Sequence, residues 1–216
     1  LRYEYNHELK TAEVRSKNDL FNVWGAIEIP SHVKHRGEEY LVTSIGKDAF
    51  WGCSKLTSIV LPNTLKTINE YAFCECESLD SVAIPDSVTS IGSSAFAGCS
   101  GLTEMTIPFV GGSATATSAS SSTVFGYIFG TEGNELTYKA YQISNKAKMD
   151  EYLADFRDYT VDGEYPAYQI PRSIKKVIVT SGIGIGFGAF MNCEDPVEIV
   201  LPKELITIGE KAFNYC

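Results

Sequence analysis

The chain has 216 residues, room for one large domain or a short repeat array on a prior of roughly 100–200 residues per domain. Apolar residues make up 44% of it, enough for a continuous core, and a formal net charge of −9 argues against a nucleic-acid partner, whose phosphates need a basic face. No run approaches the roughly 18 apolar residues of a membrane span, so no membrane insertion is expected.

The sequence opens Leu1-Arg2-Tyr3 without an initiator Met and ends at Cys216 partway through a repeat. Both ends read as trimmed, and the lack of a leader says nothing about location. Residues 1–14 alternate about Asn6-His7-Glu8 and predict a hairpin; residues 33–42 predict a second, turning near Arg36-Gly37. Between them, Ile27-Glu28-Ile29-Pro30 has the form of a strand closed by proline. A stack of repeats needs its first rung covered, so residues 1–41 are expected to form an N-terminal hairpin cap.

From Val42 the sequence repeats every 23 residues without a gap. Residues 42–64 read VTSIGKDAFWGCSKLTSIVLPNT, 65–87 LKTINEYAFCECESLDSVAIPDS and 88–110 VTSIGSSAFAGCSGLTEMTIPFV. Each copy carries an apolar triplet before a proline: Leu56, Ile59 and Leu61, then Leu79, Val82 and Ile84, then Leu102, Met105 and Ile107. Residues two apart in a strand share a face, so the triplet points inward and the residues between it point out. Pro62, Pro85, Pro108 and Pro202 end each strand, because proline has no donor for a ladder. The following I-G-x-x-A-F half-unit supplies Ile45, Ala49 and Phe50, with Gly46 suited to a tight bend. Phe50, Phe73, Phe96, Phe190 and Phe213 then predict a continuous aromatic spine.

After Val110 the period breaks, and residues 111–172 read as an insertion packed on or projecting from one flank. Gly111 to Thr123 is small, polar and loop-like; Val124 to Gly130 replaces the missing half-unit with its own aromatics. Asn145 is placed to cap a short helix whose Met149, Tyr152, Leu153 and Phe156 share a face. Ile174, Val177 and Val179 restore the strand. Residues 173–216 resume the repeats, with a fourth copy at 182–204 and a fifth begun at Leu205.

Cys53, Cys76, Cys99, Cys193 and Cys216 each follow the rung phenylalanine by three residues. Such a register predicts buried, reduced thiols that act as small apolar groups and weak donors to turn backbone. Only Cys74 is off-register, and it is expected to be exposed. With no C-x-x-C present, zinc is not expected.

Catalytic machinery is missing from the pattern. The three histidines, His7, His32 and His35, lie in the expected cap, and His32-x-x-His35 lacks a helix and a third ligand. The acidic run Asp150, Glu151, Asp155, Asp158, Asp162 and Glu164 has no EF-hand spacing, and Ser118 to Ser122 have no G-x-S-x-G context. The insertion contains no histidine or cysteine that a hydrolase site would use. No catalytic residue, metal site or cofactor is expected.

The motif A-F-x-x-C-x-x-L-x-x-I-x-L-P-x-x-[LV]-x-x-I-G resembles the BspA-like, or Treponema pallidum-type, leucine-rich repeat, and its copies cover about half the chain. Phe125-Gly-Tyr-Ile-Phe-Gly130 and Ile170-Pro-Arg-Ser-Ile-Lys-Lys-Val177 look like phrases from surface proteins of gut Firmicutes. The resemblance implies an α/β-type repeat solenoid, a curved leucine-rich-repeat stack of mostly short strands and turns. It also implies an exported, extracellular or cell-surface protein that binds a host matrix protein or a bacterial surface. The candidate contacts are the outward strand positions: Ser58 and Val60, Ser81 and Ala83, Glu104 and Thr106, Lys176 and Ile178, Glu198 and Val200. That row is small and mixed, without an aromatic platform, so a protein ligand is preferred over a glycan. The alternative is a structural spacer displaying another domain.

Overall fold

The computed structural model describes residues 1–15, 23–114, 121–132, 136–142, 167–195 and 198–216. The helix expected after Asn145 and the acidic run lie outside the described residues.

Alternating polar and apolar residues form the two expected hairpins. β1 (Arg2–Asn6) pairs antiparallel with β2 (Thr11–Arg15), and β3 (Trp24–Glu28) follows. β4 (His32–His35) pairs antiparallel with β5 (Glu38–Ile45). Each repeat then gives one longer and one shorter strand. These are β6 (Lys55–Val60) and β7 (Thr67–Ile68), then β8 (Ser81–Ala83) and β9 (Ser90–Ile91), then β10 (Glu104–Ile107). The insertion contributes β11 (Thr137–Tyr141) and β12 (Ala167–Pro171), which pair antiparallel. β13 (Lys176–Val179), β14 (Gly184–Ile185), β15 (Glu198–Val200) and β16 (Thr207–Ile208) complete the chain.

Like strands stack on like strands. One sheet joins β1, β2, β5, β7 and β9, with β4 on β5; the other runs β3, β6, β8, β10, β13, β15. Ile45, Ile68 and Ile91 fall in register in the first sheet. In the second, Ile59, Val82, Met105, Val177 and Ile199 do the same. The core lies between, a repeat solenoid in which each rung buries its neighbour's apolar face. Among the described residues the return segments are turns, with short 3-10 helices only at Ser121–Thr123 and Phe125–Ile128.

The turns stack by hydrogen bonds as regular as those of a sheet. The Phe50 amide donates to Ala72 O at 2.8 Å, Phe73 to Ala95 O at 2.8 Å and Phe190 to Ala212 O at 2.7 Å. Two further amides per turn do likewise, as Asp48 to Glu70 O and Gly52 to Cys74 O show. Inside this ladder Phe50, Phe73 and Phe96 stack with ring centroids 5.2 Å apart. Each buried phenylalanine contributes about 1.5–3 kcal/mol of transfer free energy.

Three sequence expectations change. The spine is not continuous: Phe50, Phe73 and Phe96 form one segment, and Phe125, Phe190 and Phe213 form another. Cys74 is buried, as Ala97 and Met191 are at the same position of later rungs, whereas Trp51 at that position in the first repeat is half exposed. Gly46 has no left-handed backbone; its reason is close approach, since a Cβ there would meet Val14 O at 2.7 Å.

The insertion enters on one side only. Successive outward residues Ser58, Ser81, Glu104, Lys176 and Glu198 are register partners although Glu104 and Lys176 are 72 residues apart in sequence. The second sheet therefore passes the insertion intact. The first sheet does not: β14 and β16 form a separate pair. In the gap, the Phe96 amide donates to Ile128 O and the Phe125 amide to Ala189 O, so the 3-10 helix takes the place of a repeat half-unit.

Candidate interaction face

Parallel pairing turns the outward side of the second sheet into two straight rows. Ala26, Ser58, Ser81, Glu104, Lys176 and Glu198 form one. Glu28, Val60, Ala83, Thr106, Ile178 and Val200 form the other, and the ten sequence-predicted positions fall on these rows without exception. Ser81, Ala83, Glu104 and Glu198 are exposed, as are Val60 (58%) and Val200 (36%); Ser58, Thr106, Lys176 and Ile178 are half-buried.

The rows differ in chemistry. The first ends in alternating charge, with Lys176 Nζ 3.4 Å from Glu198 Oε2 and Glu104 on the facing strand. An exposed pair of this kind adds at most about 1 kcal/mol of stability, so its weight is in what it presents to a partner. The second row is apolar over Val60, Ala83, Ile178 and Val200. A polar row beside an apolar one reproduces the core-and-rim composition of protein contacts.

Sequence reasoning missed the first strand of this face. β3 lines up with β6 across a bulge, so Ala26 and Glu28 extend both rows. Trp24, two residues earlier on the same side, is 73% exposed and gives the face the aromatic that the repeats lack. Ile27-Glu28-Ile29-Pro30, with the form of a strand closed by proline, is the sequence signal for it.

The three histidines are described, and each has a structural partner. His32 and His35 are three apart on a strand and point to opposite sides: His32 meets Ser31 Oγ at 3.0 Å, and His35 stacks on Tyr5 at 4.2 Å. His7 Nδ1 lies 2.6 Å from the Tyr40 hydroxyl, which donates to Glu38 Oε2 at 2.8 Å, so the cluster closes the end of the core. No group of three or more His, Cys, Asp or Glu side chains among the described residues could hold a metal ion.

None of the six cysteines is in a disulfide. Burial pushes the Cys53 and Cys74 thiols up to about 11 and raises Cys76 and Cys99 further. Cys76 donates to Phe50 O at 3.3 Å, Cys99 to Phe73 O at 3.1 Å and Cys216 to Phe190 O at 3.0 Å. Protonated and engaged, they are poor nucleophiles. Gln142, which sequence reasoning passed over, performs the corresponding task beside the insertion. It is buried; its Oε1 accepts the Gly126 amide at 2.6 Å, and its Nε2 donates to Met191 O at 3.0 Å and Cys193 Sγ at 3.2 Å.

Two stacked parallel sheets, an apolar triplet per rung and a turn ladder define a leucine-rich-repeat protein. The chain belongs to the BspA type leucine rich repeat family, whose pattern it matches in six copies over residues 27–129 and 166–216. Proteins of this family are typically non-catalytic surface or secreted modules, which points to an interaction role. Among solved structures the chain is similar to a leucine-rich repeat protein from Bacteroides capillosus, 34% identical over 49% of this chain and 76% of that one, with a TM-score of 0.44. It is also similar to the T. pallidum leucine rich repeat protein, 18% identical over 96% of this chain and 82% of that one, TM-score 0.47. A leucine rich cell surface protein from Faecalibacterium prausnitzii is 17% identical over 98% and 71% respectively, TM-score 0.30. No curated protein matches the chain. No helix among the described residues is long and apolar enough to cross a membrane.

Proposed function

We propose that the chain is a non-catalytic, adhesin-like module, extracellular or on the cell surface, that binds a host matrix or bacterial surface protein. The contact is the outward face of the second sheet, through Ser58, Val60, Ser81, Ala83, Glu104, Thr106, Lys176, Ile178, Glu198 and Val200, with Trp24 at its edge. The single observation that carries this reading is the pairing of Glu104 with Lys176, which keeps both rows straight past the insertion. A surface of that length, apolar along one row and charged along the other, suits a protein partner better than a small ligand. In this proposal residues 1–41 cap the stack, 42–110 and 173–216 hold repeats, and 111–172 are the insertion.

Replacing residues 143–166 with a short Gly/Ser linker tests the division of labour. Tyr141 and Ala167 are register partners, so the linker joins adjacent chain ends and leaves Gln142 in place. Binding to surfaces coated with fibronectin, laminin or collagen is expected to be retained. Its loss in a folded variant would move the contact to the insertion and overturn the proposal.

A further inference from the structure

We propose that the outer side of the first sheet carries a second, separate site: an open polar cleft for a neutral oligosaccharide, flanked by an aromatic pair. Two clefts of about 600 and 380 Å³ share Glu13 and Arg15 and run from the β1–β2 hairpin across to Ser90 and Gly92 in the third repeat. Their walls are fixed in advance. Arg15 is held by Glu4 at 2.6 Å and Glu13 at 2.9 Å, and Glu13 also accepts the Ser44 hydroxyl at 2.8 Å and the Asn69 amide at 3.3 Å. Groups held this way do not need to be ordered when a ligand arrives.

Unused valences remain beside this frame. Among the described residues, the Thr11, Thr43 and Ser90 hydroxyls and the Glu8 carboxylate line the clefts without a side-chain partner. Outside the lining residues, Trp51 (50% exposed) stacks on Tyr71 with centroids 6.2 Å apart and planes at 25°. Lys47 joins the two features: it lines the smaller cleft, and its Nζ is 5.6 Å from the Tyr71 ring centroid.

Hydroxyls in search of donors and acceptors, together with C–H faces that pack on aromatic rings, are the chemistry of a sugar chain. The strand spacing of about 4.8 Å presents one set of polar groups per step, close to the length of a pyranose unit. A protein partner would find little apolar centre here. Four carboxylates (Glu4, Glu8, Glu13, Glu70) against two cations (Arg15, Lys47) disfavour a sulfated or otherwise anionic glycan.

Titration calorimetry of the whole chain with cellohexaose, maltohexaose and chitohexaose, and with heparin as the anionic control, tests the site. At least one neutral hexasaccharide is expected to bind with a millimolar or tighter Kd, and heparin is not. Trp51→Ala and Lys47→Ala, both at exposed side chains, should each weaken that binding by about tenfold with unchanged thermal midpoints. Val60→Glu, on the other sheet, should leave it unaltered, which separates failure of this site from failure of the protein contact. No binding of any neutral chain, preferred binding of heparin, or neutral binding indifferent to both cleft variants would overturn the proposal.

Discussion

Each turn of the stack holds two residues in the left-handed region, and few of them are glycine. Asp48, Tyr71, Ser94, Gly188 and Lys211, two before the rung phenylalanine, have φ between 54° and 62°. Gly52, Glu75, Gly98, Asn192 and Tyr215, two after it, have φ between 56° and 71°. The inter-rung ladder imposes this, because these residues must turn their amides toward the next rung: Tyr71 donates to Ser93 O and Glu75 to Ala97 O. A left-handed non-glycine residue costs roughly 1–2 kcal/mol, only part of which glycine loses again to its freer unfolded chain. Glu75→Gly is therefore expected to raise stability by about 0.5 kcal/mol in denaturant unfolding. Gly92→Ala should do the opposite, because a Cβ there meets Glu70 N at 2.3 Å. The overpacked backbone should lose about 1–3 kcal/mol in the same measurement.

The thiols set a pH dependence at the same scale. Cys53 and Cys74 ionise near 9 in their unperturbed state and near 11 when folded, so the unfolded chain releases protons first as pH rises. Their contribution is fully present below the unfolded value and is lost on going from about pH 9 toward 11. The thermal midpoint should fall over that window, and a Cys53→Ala, Cys74→Ala pair should make the fall shallower, the part that remains coming from Cys76 and Cys99, which are raised further. An equal fall in the variant would place its origin elsewhere.

At the scale of elements, the repeat and the place where it breaks were legible, and what holds the break together was not. A 23-residue period, a proline after each strand and a cysteine after each phenylalanine specify strand, turn and register together. The gap after β10 has no period to read, so nothing in the sequence singled out Gln142 from other polar residues of the insertion. It matters because two backbone groups, the Gly126 amide and the Met191 carbonyl, would be buried without partners in its absence. Each such group costs about 1–3 kcal/mol, so Gln142→Leu is expected to destabilise by about 2–4 kcal/mol, read by chemical denaturation. A change near zero would mean that the 3-10 helix is held by packing alone, through contacts such as Phe125 on Phe190.

At the scale of the molecule, stacking makes a one-dimensional object with two usable sides. The hairpins of the N-terminal end close its core with Tyr5, His35, Tyr40 and His7 in ring contact, which explains why histidines gather there without reactive geometry. The candidate face was legible residue by residue, because alternation within a strand is enough to sort inward from outward. Its extent was not. That Trp24 belongs to it, and that Glu104 and Lys176 adjoin, follow from pairings between residues far apart in sequence, which no local pattern records.

The outward side of the second sheet is the proposed protein contact. Surface plasmon resonance of the chain and of a Val60→Glu, Ala83→Glu, Val200→Glu variant, over immobilised fibronectin, laminin and collagen, tests it most directly. The parent is expected to bind at least one of these, and the folded variant to bind it at least about tenfold more weakly, a difference of 1.4 kcal/mol. Equal affinity of a folded variant, or no binding by the parent, would contradict it.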